Sequence, residues 1–377
     1  MRVVFYLSGH GFGHASREIE VINALLDKQP GLSVIVRTSA RRWLLDLTLR
    51  HPVELEELEC DTGIVQIDSL RLDEAESIRR AAVFHRDLDA RAAREAQFLA
   101  RVGASLVVGD VPPLAFAAAD AAHLPSIAIS NFTWDWIYEG YPDLVAGVPE
   151  LLPTIRGAYR KAGLTLRLPM WGGFAAMAQS RIRDIPFVAR RSSRTRDEVR
   201  RALGLPDGRR VALLSFGGFG LRDFDLGALS SLSGYGVINT GHVGATARGA
   251  KLPAHLIEID EGRLYASGYR YEDLVAASDV VVTKPGYGII AECAANGAAI
   301  LYTSRGHFVE YDVLVEAMPR FVRSRFIPQA DLFAGRWAPH LDALLSQPPP
   351  PARPAVNGAD VAADIVLGQL RAVSSRQ

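Results

Sequence analysis

The sequence predicts an α/β protein of two facing, Rossmann-like, doubly wound parallel sheets with a cleft between them. Three observations carry that expectation. Continuous apolar runs of strand length alternate with stretches of helical period, the pattern of strands covered on both faces by crossover helices. The alternation lapses mid-chain and restarts with a second glycine-rich loop. The chain has 377 residues, 49% of them hydrophobic, beyond the roughly 250–300 residues at which a single core stops growing.

Val3 to Leu7 reads as a buried strand and Ser8 to Gly13 as a polar, glycine-rich turn. Ala15 to Leu26 follows as a helix, with Ile19, Val21, Ile22, Leu25 and Leu26 close to helical spacing. Leu32 to Val36 and Leu106 to Val108 are buried strands; Leu114 to Ala122 is an alanine-rich helix leading to a strand at Ser126 to Ile129. From about Asp143 to Arg209 few apolar runs reach strand length, and Arg190-Arg191-Ser192-Ser193-Arg194 is expected to be solvated. The crossing between domains falls at Ile185-Pro186, giving a first domain over 1–185 and a second over 186–355. In the second, strands are expected at Val211 to Ser215, running into Gly217-Gly218-Phe219-Gly220, and at Val237 to Asn239, Val280 to Thr283 and Ala299 to Tyr302. Pro348 to Pro354 is a stiff connector to a last helix near Ala359 to Leu370, within a 356–377 segment able to pack back on the first domain. No short period repeats, which excludes solenoids and propellers.

Composition narrows the function classes. Lys plus Arg and Asp plus Glu balance at 42 each, so no basic excess draws the chain to nucleic acid or an anionic membrane, and an anionic ligand must be held locally. Cys60 and Cys293 stand far apart in no ligand spacing, which suggests neither a disulfide framework nor a zinc site and fits a reducing cytoplasm. The apolar run near Met1 is too short for a signal-peptide core or a membrane span, so no integral membrane association is expected.

Two strand-turn-helix junctions carry the chemistry. Gly9-His10-Gly11-Phe12-Gly13-His14 lies between the first strand and the first helix, at the carboxyl-end crevice where open α/β sheets bind ligands. Its glycines admit a close ligand, and the helix N-terminus favours negative charge. A histidine there has its protonated form disfavoured, so His14 is a candidate general base; His10 orients the turn or touches substrate. A dinucleotide site is excluded: the third glycine of G-x-G-x-x-G is missing, and Thr38 and Ser39 stand where an acid should end the second strand. The second junction runs from Val280 through Lys284-Pro285-Gly286-Tyr287-Gly288 to Glu292. There a helix N-terminus and Lys284 suit a diphosphate, and Glu292 suits the hydroxyls of a ribose.

Gly109-Asp110-Val111 and Ser130-Asn131-Phe132-Thr133-Trp134-Asp135 both follow first-domain strands. Aromatics beside hydrogen-bonding groups suit a sugar, so Asn131, Trp134 and Asp135 are candidate acceptor contacts with His10 and Gly11. Asp110 is a second candidate base, or the group that orients His14. Asp223-Phe224-Asp225 has the form of a metal-binding pair, but such triplets are common by chance and no metal is expected.

Val280 to Glu292, followed by Ala299 to Tyr302 and His307-Phe308-Val309-Glu310, resembles the donor-site signature of GT-B glycosyltransferases such as the peptidoglycan N-acetylglucosamine transferase. The Gly13-His14 and Ser215-Phe216-Gly217-Gly218 turns are similar to that enzyme's glycine-rich loops. The likeness is closer still to the N-terminal, glycosyltransferase-like half of plant arabinokinases, carried by Gly9 to Ala15, Asn131 to Asp135 and Lys284 to Gly288; together these motifs touch most of residues 1–315. The resemblance implies an N-terminal acceptor domain and a C-terminal donor domain. It also implies transfer of a sugar from a nucleoside-diphosphate donor, UDP-linked, to the hydroxyl of a sugar, small molecule or lipid-linked acceptor, with inversion and without a metal or other cofactor. Gly217, Gly218, Phe219 and Gly220 with Lys284 to Gly288 would surround the diphosphate, Glu292 the ribose and His14 the acceptor hydroxyl; His242, Tyr269 and Glu310 join the donor side. The chain departs from the family in reading Glu310-Tyr311-Asp312 where an acid–amide pair meets the donor sugar, which leaves the sugar open. The rivals are a nucleotide-sugar epimerase or hydrolase on the same fold, and a sugar-nucleotide-binding module without turnover.

Overall fold

A computed structural model describes residues 1–205, 208–241, 243–245 and 252–375. The first part of the chain supplies β1 (Arg2–Leu7), β2 (Ser33–Thr38), β3 (Glu54–Glu57), a short antiparallel hairpin of β4 (Val65–Gln66) and β5 (Leu72–Asp73), and then β6 (Leu106–Asp110), β7 (Ser126–Ser130), β8 (Leu164–Arg167) and β9 (Arg181–Asp184). Apart from the hairpin these form one parallel sheet in the order β3-β2-β1-β6-β7-β8-β9. Val3 to Leu7 are fully buried, as continuous apolar strands covered on both faces must be.

The remainder supplies β10 (Arg210–Ser215), β11 (Leu221–Asp225), β12 (Tyr235–Asn239), β13 (Val243–Ala245), β14 (Leu256–Glu258), β15 (Val280–Thr283), β16 (Ala299–Tyr302) and β17 (Ser324–Phe326). The second parallel sheet has the order β14-β12-β10-β15-β16-β17, and β11 pairs with β13 beside it. In each sheet the strand order reverses once, between β1 and β6 and between β10 and β15. The crevice at such a reversal is where α/β sheets take ligands, because the connections leave in opposite directions.

The stretch 143–209, expected to hold few strands, contributes β8 and β9. The β9 edge strand carries exposed Arg181, Arg183 and Asp184 around half-buried Ile182, too polar to read as a strand. Charges on a sheet edge also deter pairing with another chain.

The two sheets are tied at several points. At the crossing, the Phe187 N–H donates to Ala355 O at 3.2 Å and the Gly358 N–H to Phe187 O at 2.8 Å, so the outgoing and returning strands of chain lie together. The returning helix Gly358–Ser374 packs Ala362, Ala363, Val366 and Leu370 in one core cluster with Val21, Ile22 and Leu25 of the Gly13–Lys28 helix. Lys28 Nζ reinforces that seam at 2.7 Å from Asp364 Oδ1. On the other side the β4–β5 hairpin reaches over: the Ser69 N–H donates to Gly220 O at 3.1 Å, Ser69 Oγ donates to Phe216 O, and the Gly306 N–H donates to Leu70 O at 2.8 Å. Leu70 is buried in the second domain's core with Leu214, Phe216, Val282 and Leu301.

Leu70 therefore belongs by sequence to one domain and by packing to the other. Leu70→Ala should cost about 2–5 kcal/mol, the usual range for a buried leucine truncated to alanine. Thermal denaturation of the two proteins side by side reads this, and an unchanged midpoint would mean the hairpin does not help hold the domains.

Candidate active site

The two strand-order reversals face each other across one cleft of about 230 Å³. On the first-domain side, β1 runs into the Ser8–Gly13 turn, where Gly11 has φ of +68°, a conformation glycine adopts without strain. His14 occupies the first turn of the next helix and is 7% exposed. Its Nδ1 lies 3.1 Å from Asp110 Oδ1, at the end of β6, the strand beside β1. Register does the placing, since Leu7 pairs with Asp110.

Asp110 is wholly buried and holds a second partner. Arg17, one helical turn beyond His14, donates Nε to Oδ2 at 3.0 Å and Nη2 to Oδ1 at 2.5 Å. Burial pushes the Asp110 carboxyl up, but Arg17 and His14 outweigh it and hold it below the usual carboxylate range. The Arg17 guanidinium also donates Nη1 to Asn131 Oδ1 at 2.9 Å, and Asn131 Nδ2 donates to Glu310 Oε1 at 2.7 Å. A continuous polar chain thus joins His14 to the second domain. His10 sits beside it, its ring edge-on to Trp134 at 5.5 Å. Burial first, then the neighbouring His14, Arg305 and Lys284, holds the His10 imidazole neutral. Behind them Asp61 accepts from Ser8 Oγ at 2.8 Å and Trp134 Nε1 at 2.7 Å, and burial raises it to about 6.

On the second-domain side, β10 leads into the 217–220 turn and β15 into Lys284–Gly286, ahead of the Tyr287–Asn296 helix. Ser215 and Thr283 are register partners, so the two turns lie side by side. A Cβ on Gly218 would stand 2.3 Å from the far end of the Phe12 ring, so a larger residue there would require that ring to shift. Gly286 at the N-cap of the Tyr287–Asn296 helix has no side chain to cap the first turn, and no side chain among the described residues is bonded there, which leaves backbone N–H groups to a ligand. Lys284 beside it is pushed down to about 7, by burial first and then by Arg305.

Thirteen of the residues singled out in the sequence line this cleft: His10, Gly11, His14, Asn131, Gly217, Gly218, Phe219, Lys284, Gly286, Tyr287, Gly288, Glu292 and Glu310. Asp110 stands directly behind His14, while Gly220, Tyr269 and Pro285 flank the cleft without lining it. His242 lies outside the described residues. Two expectations need correction. Trp134 is fully buried, stacked on Tyr138 and bonded to Asp61, so it backs the histidines and does not line the cleft. Asp135, next on the same short helix, points to a different hollow and accepts from Arg156 at 3.1 Å. Helix phase sets the two about 100° apart, so Trp134 turns into the core while Asp135 turns towards the separate hollow.

A third correction concerns the 190–194 run. Arg190 is not solvated: it lines the cleft and donates Nε and Nη2 to Glu292 Oε1 at 2.6 and 2.5 Å. Glu292 therefore faces the cleft as half of an ion pair. Burial raises its carboxyl and Arg190 opposes the rise. Sequence reasoning also passed over Arg17 and Arg305. Arg17 had a signal, its place three positions after His14 on one helix face. Arg305 follows the carboxyl end of β16, a position that favours ligand contact in such sheets.

No family model matches the chain. L-arabinokinase of Arabidopsis thaliana is 30% identical over 370 residues, covering 96% of this chain and 34% of that protein. The chain spans about a third of that relative's length. Among solved structures, the glycotransferase of kitacinnamycin superposes with a TM-score of 0.61 at 19% identity, covering 99% of this chain and 97% of that one. UGT89C1 of Arabidopsis thaliana, complexed with UDP, does so with a TM-score of 0.59 at 16% identity, covering 98% and 99%. The fold is GT-B. Among the described residues, no helix is long and apolar enough to cross a membrane and no cluster of three or more His, Cys, Asp or Glu side chains could hold a metal. Within this GT-B chain Asp223 pairs with Arg71 at 2.9 Å, and Asp225 caps the Gly227 N–H at 2.9 Å.

The Arg190–Glu292 pair yields a prediction with a definite pH dependence. Arg190→Met leaves Glu292 buried without its cation, a loss of about 3–5 kcal/mol. A carboxyl whose folded pKa is raised destabilises the fold at pH values where the unfolded chain ionises it. The deficit should therefore be largest above neutral pH and shrink as pH falls towards the raised folded value, where Glu292 becomes neutral. Melting temperatures of wild type and variant at pH 8 and pH 5 test this, and a pH-independent deficit would contradict it.

Proposed function

We propose that the chain is a glycosyltransferase that moves a sugar from a UDP-linked donor to an acceptor hydroxyl, with inversion and without a metal. The observation that carries this reading is the His14–Asp110 pair, 3.1 Å apart, facing an uncapped helix N-terminus and Lys284 across one cleft. The GT-B fold and the UDP complex of one structural neighbour support the donor class.

Each group then has a task. His14 Nδ1 lies 3.1 Å from both Asp110 Oδ1 and Arg17 Nη2; in the tautomer whose Nδ1–H is donated to the Asp110 carboxylate, Nε2 keeps its lone pair to take the proton of the acceptor hydroxyl. The oxygen attacks the anomeric carbon as the bond to the diphosphate breaks. The departing diphosphate is met by the 286–288 backbone N–H groups, the 217–220 turn and Lys284, groups that stabilise its charge as a divalent cation otherwise would. In this reading the acceptor oxygen attacks from the face opposite the departing diphosphate, and the anomeric configuration inverts. Glu292, steadied by Arg190, accepts ribose hydroxyls, and Glu310, steadied by Asn131, accepts those of the sugar.

The test separates binding from turnover. His14→Ala should leave UDP affinity near wild type while slowing sugar transfer by roughly 10²–10⁴-fold, the usual share of general-base catalysis. Calorimetry with UDP and a UDP-release assay over a panel of sugar nucleotides read the two quantities. Wild-type turnover in the variant would remove His14 from the chemistry, and a parallel loss of UDP binding and melting temperature would make it a structural residue of the turn.

A further inference from the structure

The loop between β16 and the Glu310–Ala317 helix brings a second cation into the cleft. Arg305 Nε and Nη2 are shut off from solvent and have no hydrogen-bond acceptor among the described residues. The guanidinium lies over the Phe308 ring, 4.3 Å from its centroid. A ring face offsets part of the desolvation of a cation but takes none of its in-plane hydrogen bonds. Charged donors buried without acceptors are costly, so such a group in a ligand cleft marks a missing anion.

The local balance of charge agrees. Glu310 is the carboxylate that offsets both Arg305 and Lys284, yet it is bonded to Asn131 and forms no ion pair with either. The cations oppose each other, and the neutral His10 is within reach of both. Their positions divide their roles. Lys284 stands at the turn before the Tyr287–Asn296 helix, where a diphosphate finds open N–H groups. Arg305 rides on a loop stapled to the first domain, by Tyr141 Oη donating to His307 O at 2.7 Å and by the Gly306 N–H donating to Leu70 O at 2.8 Å. That loop holds Arg305 towards His10 and Glu310, where the sugar and the acceptor meet.

We propose that Arg305 binds a second oxyanion, a carboxylate or phosphate on the transferred sugar or on the acceptor, so that one of the two substrates carries an acid group besides the donor's diphosphate. The planar, forked guanidinium suits either group through paired hydrogen bonds. The inference rests on the donor-site reading given above.

Calorimetry on the full chain at one fixed salt concentration decides it, in two arms. The donor arm compares UDP-glucuronate with UDP-glucose; the acceptor arm titrates UDP-saturated protein with glucose 1-phosphate and with glucose. The wild type should prefer the acid ligand by about tenfold or more in one arm, which identifies the source, as expected for a buried charge-assisted pair. Arg305→Gln should abolish that preference while leaving the affinity for UDP within about threefold, and Arg305→Lys should retain part of it. No acid preference in either arm overturns the proposal, as does an Arg305→Gln loss that is equal for UDP and for the acid ligand, which would assign Arg305 to the diphosphate. If the Gln variant fails to fold, the wild-type arms still decide, with the charge-keeping Lys variant as the comparison. UDP binding without acid preference overturns this inference alone, whereas a wild type that binds no UDP overturns the donor-site reading and the inference with it.

Discussion

A single buried carboxylate organises the centre of this molecule. Asp110, at the end of β6, is fully removed from water, which only multiple charge-assisted bonds make tolerable. Arg17 satisfies both oxygens and His14 shares one. Because Arg17 has donors to spare, it also fixes Asn131, and Asn131 fixes Glu310 in the other domain. The orientation of the proposed base and the placement of the proposed sugar contact are thus parts of one hydrogen-bonded array. Removing any member leaves a buried polar group without its partner.

That array depends on the domains staying together, and the structure achieves this with contacts far from the cleft floor. The β4–β5 hairpin lends Leu70 to the second core, the terminal helix returns to the first, and the outgoing and returning chain segments bond to each other near Phe187. Moving one domain against the other would have to break these contacts. The loop carrying Arg305 is held by the same hairpin, through Leu70, and by Tyr141, which is why a second-domain cation presents itself to first-domain residues.

The electrostatics divide along the same line. Cations with partners, Arg17 and Arg190, hold carboxylates in place. Lys284 and Arg305, lining the same cleft, pair with no carboxylate among the described residues. A neutral chain has arranged a locally positive pocket by spending its acids elsewhere, so its overall charge says nothing about the ligand.

What the sequence determined by itself was everything set by short-range periodicity. Apolar runs such as Val3 to Leu7 and Val280 to Thr283, each followed by a glycine-rich turn and a helical period, read as covered strands of a parallel sheet. His14, Lys284 and the 217–220 and 286–288 turns follow from that, because each sits within a few residues of a strand end. Tertiary structure decided every feature that depends on a distant partner. Arg190 looked like one of several surface charges until Glu292, a hundred positions away, was found beside it. Trp134 and Asp135 looked like a sugar platform until helix phase turned one into the core and the other to a separate hollow. The polar β9 was invisible because an edge strand needs only one neighbour and little apolar surface. Local pattern fixes which face of an element is buried, whereas which side chain meets which across a domain boundary is settled only when the whole chain packs.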